Sequence, residues 1–161
     1  MIAERFLPDE AATEDLAQQL ANVLPAQAAD APLIIYLQGE LGTGKTSFSR
    51  GMLRALGESG PVRSPTYGLM SQYELPAGRV LHLDLYRLRG PEELEALAIR
   101  DLLAGSRLWL VEWPDRGAAI LPPPDLTLGL QVEGQGRRAC LHSGSATGNQ
   151  WLGAVFGSPE A

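Results

Sequence analysis

Gly39-Glu-Leu-Gly-Thr-Gly-Lys-Thr46 sets three glycines, a lysine and a hydroxyl at the spacing Gly39-x-x-x-x-Gly44-Lys45-Thr46. That is the Walker A phosphate-loop pattern, and the apolar run before it and helical stretch after it are the context the pattern requires. The chemistry such a loop supports is the binding of a nucleoside triphosphate. Its glycines let the backbone curl around an anion and turn several N–H groups inward. The positive end of the following helix faces the same phosphates. Lys45 is then expected to reach the β- and γ-phosphates, and the Thr46 hydroxyl to bind magnesium. The expected nucleotide contacts run through Gly39, Glu40, Leu41, Gly42, Thr43, Gly44, Lys45, Thr46 and Ser47.

A phosphate loop also needs an acid at the end of a buried strand to hold magnesium, usually through water. Two carboxylates qualify. Glu112 follows Leu108-Trp-Leu-Val111, the most apolar run after the one that leads into the loop. At the C-terminal edge of a strand it lies where ligands bind in open α/β sheets; the plainer reading is a solvated acid at a strand end. Asp84 stands in Val80-Leu-His-Leu-Asp-Leu-Tyr86, whose period of two puts His82, Asp84 and Tyr86 on one face. Such a face is either ordinary solvent-exposed sheet or the border of the γ-phosphate, where it would orient water or magnesium. The second reading is favoured for Asp84, and His82 stays undecided. Ser64-Pro-Thr-Tyr67 is a hydroxyl-bearing loop after the phosphate-loop helix. It is either a nucleotide-sensing switch, which commonly lies there, or a turn entering a strand. Lys45, Asp84 and Glu112 are thus expected to carry the chemistry, with Thr46 and Glu112 as the metal ligands.

These side chains must be positioned by an α/β scaffold. Ile2 to Leu7 reads as a short edge strand, followed by a helix capped by Asp9 or Thr13 and reaching about Leu24 on the stripe Leu16, Leu20, Val23, Leu24. Leu33 to Leu37 is the strand into the loop, and the helix beyond it spans Lys45 to about Leu56, stopped by Gly57 and Gly60-Pro61. Thr66 to Leu75 and Val80 to Tyr86 form a hairpin around Pro76-Ala-Gly78. Pro91 opens a helix that takes in Leu94, Leu97 and Ile99, with a further turn at Asp101 to Leu103. Leu126 to Val132 and Arg137 to His142 form a second hairpin, and Ser145 to Phe156 is weakly helical. Two buried runs ending in polar residues, with hairpins beside them, predict a mixed sheet: parallel strands in the centre, antiparallel strands at the flanks.

With 161 residues, 45% hydrophobic and 20% charged, the chain fits one domain over residues 1–161, its tail frayed from about residue 157. The single Cys140 excludes an internal disulfide framework and a cysteine metal site. No apolar run is long enough to cross a membrane. The first residues, Met1-Ile-Ala-Glu-Arg-Phe, lack a signal-peptide apolar core. A cytoplasmic location is the expectation. Thirteen basic residues against 19 acidic ones give a net charge of −6 and a pI near 4.9. That balance argues against a chain that itself grips DNA or RNA, though not against work on RNA through a basic partner.

Taken together, Gly39 to Thr46, Ser64-Pro-Thr-Tyr67, His82-Leu-Asp-Leu-Tyr-Arg-Leu88, Pro91-Glu-Glu-Leu94 and Glu112-Trp-Pro114 resemble, in residues and order, the TsaE (YjeE) family. The resemblance runs from about Thr13 to Arg137. It implies a P-loop NTPase domain and a weak ATPase using ATP/ADP and Mg2+. The ATPase is required for threonylcarbamoylation of adenosine 37 in tRNAs that read codons beginning with A. It also implies that the chain does not catalyse the transfer, but binds and resets a complex of TsaD and TsaB, touching tRNA only through those partners. Carried over residue by residue, Thr46 and Glu112 resemble the magnesium ligands and Lys45 the phosphate lysine. Asp84 resembles the acid needed for hydrolysis, and Ser64, Thr66 and Tyr67 a switch segment. Trp113 resembles a tryptophan near the nucleotide, Arg137 an arginine near it, and Thr13 a residue facing the base. Nothing carries over after His142.

The competing expectation is a small P-loop kinase acting on a metabolite or nucleoside. That would need a lid with arginines over the transferred phosphate, and Arg87 and Arg89 are the compact candidates. A GTPase is disfavoured because the chain has no Asn-Lys-x-Asp sequence. A non-hydrolysing adaptor that uses ATP only to hold its shape is the third class.

Overall fold

Leu33–Gln38 (β2) and Ser106–Glu112 (β5) lie side by side in the middle of the sheet, and the rest of the chain is laid to either side of them. The computed structural model describes residues 1–26, 31–65, 68–102 and 104–157. The other strands are Ile2–Leu7 (β1), Met70–Leu75 (β3), Gly78–Asp84 (β4), Leu126–Glu133 (β6) and Gly136–Ser143 (β7). The helices are Glu10–Ala21 (α1), Lys45–Ala55 (α2), Pro91–Ala96 (α3) and Ala146–Phe156 (α4). One sheet of seven strands results, in the order β1-β7-β6-β2-β5-β4-β3. The four strands β6, β2, β5 and β4 pair in parallel, while β3, β7 and β1 join antiparallel at the margins. This is the predicted α/β arrangement.

The continuous apolar runs of β2 and β5 follow from burial on both faces. Leu33, Ile35 and Leu37 point to one side, where Phe48, Met52 and Leu53 of α2 and Leu16 and Leu20 of α1 pack. Ile34 points to the other, with Trp109, Val111, Leu81, Leu83 and Leu94. Burial of such side chains stabilises by about 1.5–3 kcal/mol each, so these two layers fix where the strand ends fall.

Several boundaries differ from expectation. At the start of α1 one of the two expected caps holds: Asp9 rather than Thr13, its carboxylate accepting from Ala12 N–H at 2.8 Å. The helix ends at Ala21 with Asn22 as its cap, so Val23 and Leu24 lie beyond it; Pro25 disfavours helical geometry just before itself. The first hairpin keeps β3 only from Met70, because Leu69 takes a left-handed φ of 63°. Thr66 and Tyr67 lie outside the described residues. β4 stops at Asp84 rather than Tyr86, since the Asp84 carboxylate accepts from Tyr86 N–H at 3.0 Å and turns the chain. α3 closes at Ala96; Ala98 is left-handed (φ 52°), and Ile99–Leu102 form a separate 3-10 turn. The tail is more ordered than expected. α4 is a regular helix whose Ser145 cap accepts from Gly148 N–H, and its Trp151 is fully buried with the indole N–H on Leu20 carbonyl at 2.9 Å. Residues 158–161 fall outside the described part.

Candidate nucleotide site

The phosphate loop leaves β2 at Gln38 and enters α2 at Lys45. Gly39, Gly42 and Gly44 all take positive φ, 147°, 78° and 106°, which side-chain-bearing residues rarely adopt. At Gly39 a Cβ would also lie 2.6 Å from Leu130 carbonyl oxygen, so only glycine fits. Thr43 ties the loop back on itself, its hydroxyl donating to Glu40 carbonyl at 2.8 Å. α1 and α4 each carry a side-chain cap, whereas α2 starts at Gly44 with no side-chain cap bond. Its first N–H groups are therefore left to whatever anion the loop holds.

Lys45 is buried, its ammonium donating to the carbonyls of Gly39 at 2.5 Å and Glu40 at 3.0 Å, and standing 4.5 Å from the centre of the Trp113 ring. Burial pulls its pKa below the usual lysine value; the negative charges of Glu112, then Asp84, then Glu40 push back. Trp113 takes a left-handed φ of 57°, and its ring lies 4.9 Å from that of Tyr86. A bulky residue in that region is strained, and the strain falls beside the lysine.

The ends of β4 and β5 bring the acids in. Asp84 and Glu112 are paired across the two parallel strands. By alternation they share a face with Val80, Leu108 and Leu110, the side covered by α1 and α2. The polar face of β4 is therefore not solvent-exposed sheet: His82 is fully buried, and Asp84 and Glu112 nearly so. Ser64 donates its hydroxyl to Asp84, and His82 Nε2 lies 2.6 Å from Glu112 Oε2.

Two hollows flank the loop. The larger, about 490 Å3, is lined by Lys45, Thr46, Ser64, Asp84, Glu112 and Trp113, with Leu41, Gly42, Gly44 and Ser47 along the loop and Tyr86 and Arg87 opposite. The smaller, about 190 Å3, lies against the other side of Gly42, Thr43, Gly44 and Ser47 and is lined by Thr13 and Arg137 among others. Arg137 donates to Gly42 carbonyl at 3.0 Å. Thr13 is buried on α1. Ser47 donates to Glu10 Oε1 at 3.1 Å. Glu40 takes part through its backbone carbonyl, and Leu41 is the exposed tip of the loop. Thr66 and Tyr67 lie outside the described residues. Every other expected site residue borders one of the hollows or bonds within the loop. Tyr86 and Arg87 line the larger hollow without having been expected among the nucleotide contacts; the period of β4 put Tyr86 on the face of Asp84, and Arg87 was considered only as a lid arginine of the kinase reading.

Among the described residues no cluster of three His, Cys, Asp or Glu side chains is arranged to hold a metal by itself. Magnesium does not require one, since it is commonly held by one or two protein oxygens with phosphates and water. The oxygen donors in the larger hollow, the Thr46 hydroxyl and the Glu112 and Asp84 carboxylates, fit that chemistry.

A parallel central sheet with a glycine-rich loop running from a strand end into an uncapped helix defines a P-loop domain. The crystal structure of Bacillus subtilis YdiB superposes with a TM-score of 0.76, at 20% identity, over 96% of this chain and 94% of that one. The family model for "Threonylcarbamoyl adenosine biosynthesis protein TsaE" matches residues 7–140. Proteins called "tRNA threonylcarbamoyladenosine biosynthesis protein TsaE" are close in sequence. That of Haemophilus influenzae is 35% identical over 93% of this chain and 95% of its own length. That of Synechocystis sp. is 43% identical over 70% and 71%, and that of Aquifex aeolicus 31% identical over 86% and 93%. The chain belongs to the TsaE family, and so to tRNA threonylcarbamoyladenosine biosynthesis. No helix among the described residues is long and apolar enough to cross a membrane.

Proposed function

We propose that the chain, acting as one domain over its 161 residues, binds ATP with magnesium and hydrolyses it slowly to ADP and phosphate. That cycle drives its binding to, and resetting of, the TsaD–TsaB complex that modifies adenosine 37 of tRNA in the cytoplasm. The observation that carries this reading is the meeting of Lys45, Thr46, Asp84 and Glu112 around one hollow beside the loop. Magnesium, when bound, would neutralise charge developing on the phosphates. Thr46 and Glu112 would hold it. The loop N–H groups and Lys45 would bind the β- and γ-phosphates, and Asp84 would accept a hydrogen bond from the attacking water and orient it. Arg137 and Thr13, across the loop in the smaller hollow, would face the rest of the nucleotide.

The acidic balance of the chain supports an output through protein rather than through its own grip on RNA. The test is ATP hydrolysis by the purified chain, alone and with TsaD–TsaB, followed by threonylcarbamoyl transfer to tRNA over many turnovers. Hydrolysis should rise with the complex, and transfer should stall after one turnover when this chain is left out. Equal multiple turnover without it removes the resetting role.

A further inference from the structure

We propose that His82 is the positioning residue that holds Glu112 in place for magnesium, an inference that rests on the magnesium–nucleotide reading above. His82 is completely buried on β4, on the face that packs under α1 and α2. An aliphatic side chain would cost less there, because an imidazole must leave water and then find partners. Its Nε2 lies 2.6 Å from Glu112 Oε2, while Nδ1 is buried with no hydrogen-bond partner among the described residues. Among the described residues the ring's one polar contact is therefore the carboxylate, and the tautomer that donates from Nε2 is the one that satisfies it.

The contact also answers an electrostatic problem. Asp84 and Glu112 sit opposite each other on adjacent strands, where like charges repel. Each is held by a separate donor set: Ser64 hydroxyl and Tyr86 N–H on Asp84, His82 on Glu112. A donor behind a metal-binding carboxylate fixes its rotamer, and loss of such a partner typically weakens metal binding by about 10–100-fold. His82 itself lines neither hollow, so it acts through Glu112 rather than on the nucleotide.

The experiment uses the full chain and a fluorescent ATP analogue, titrated once in EDTA and once in excess Mg2+. The ratio of the two Kd values measures how strongly magnesium and nucleotide are coupled. Absence of coupling in the unaltered protein overturns the magnesium–nucleotide reading itself. Given coupling there, His82→Leu should leave the Kd in EDTA unchanged and reduce the coupling by about 10–100-fold. His82→Gln, whose amide N–H can still reach the carboxylate, should restore most of it. Unchanged coupling in a folded His82→Leu protein sinks the proposal. So does an equal loss in the Leu and Gln variants, which would mark a packing role. Where His82→Leu does not fold, His82→Asn against His82→Gln decides. The shorter amide should lose the coupling and the longer one keep it, and equal behaviour refutes the proposal.

Discussion

Lys45 carries the sharpest expectation because its surroundings are built to hold one cation. Burial works against its charge and three carboxylates work for it, with Glu112 the largest of the three. Hydrogen bonds to a charged group contribute about 1.5–3 kcal/mol, so Lys45→Ala should weaken ATP binding by about 10–100-fold, read by calorimetric titration. Undiminished affinity would remove the loop from the site. Asp84 is a different case. It already satisfies Ser64 and the Tyr86 N–H, so replacing it with alanine would confuse a structural loss with a chemical one. Asp84→Asn keeps an acceptor for Tyr86 while removing the charge. It should leave the nucleotide Kd nearly unchanged and slow hydrolysis by about 10²–10⁴-fold, the usual worth of a positioned acid–base group. Phosphate release at the normal rate would reduce Asp84 to the residue that ends β4.

Where two helices bring their backbones together, the sequence gives little warning. Gly51 lies mid-helix in α2, where glycine costs about 0.8–1.0 kcal/mol relative to alanine. A Cβ there would stand 2.7 Å from the Cα and carbonyl oxygen of Glu14 and 3.0 Å from the Ala17 Cβ. The helix gain is thus set against overpacking of about 1–3 kcal/mol, and the backbone atoms of α1 cannot swing away as a side chain tip could. Gly51→Ala should destabilise by about 1 kcal/mol net, measured by urea unfolding. Because α1 carries Thr13, it should also loosen nucleotide binding; a stabilised variant would mean that the helices can separate freely. The same contrast explains what was legible. The loop, the two apolar strands and both hairpins are local patterns of spacing and period, and all of them form, the first hairpin with shorter strands than expected. The break at Ala98 and the burial of His82 depend on what lies across the sheet or beyond the next turn. His82 reads as part of an open polar face until α1 and α2 are known to cover it. α4 reads as a weak tail until Trp151 is seen docked on Leu20.

The distribution of charge over the whole chain decides what it can hold on its own. The family belongs to tRNA threonylcarbamoyladenosine biosynthesis, yet 19 acidic residues outnumber 13 basic ones. Much of the basic complement is also committed within the fold. Arg50 spans α1 and α2 by pairing with Glu10 and Glu14, Arg79 pairs with Glu74, and Arg138 with Glu133. Arg107 donates to Pro25 carbonyl, and Arg137 to Gly42. A chain that neutralised six or more phosphates would need a free basic stripe, and its affinity would fall about 10³–10⁵-fold between low and moderate salt. None of the ion pairs above forms such a stripe. The isolated chain should therefore bind fluorescent tRNA no more tightly than nonspecific contacts do, with Kd weaker than about 10⁻⁴ M near physiological salt, and with a shallow salt slope. Anisotropy titrations at two ionic strengths measure both. Micromolar binding with a steep slope would place an RNA-gripping surface on this chain and remove the proposal that tRNA is reached only through TsaD–TsaB.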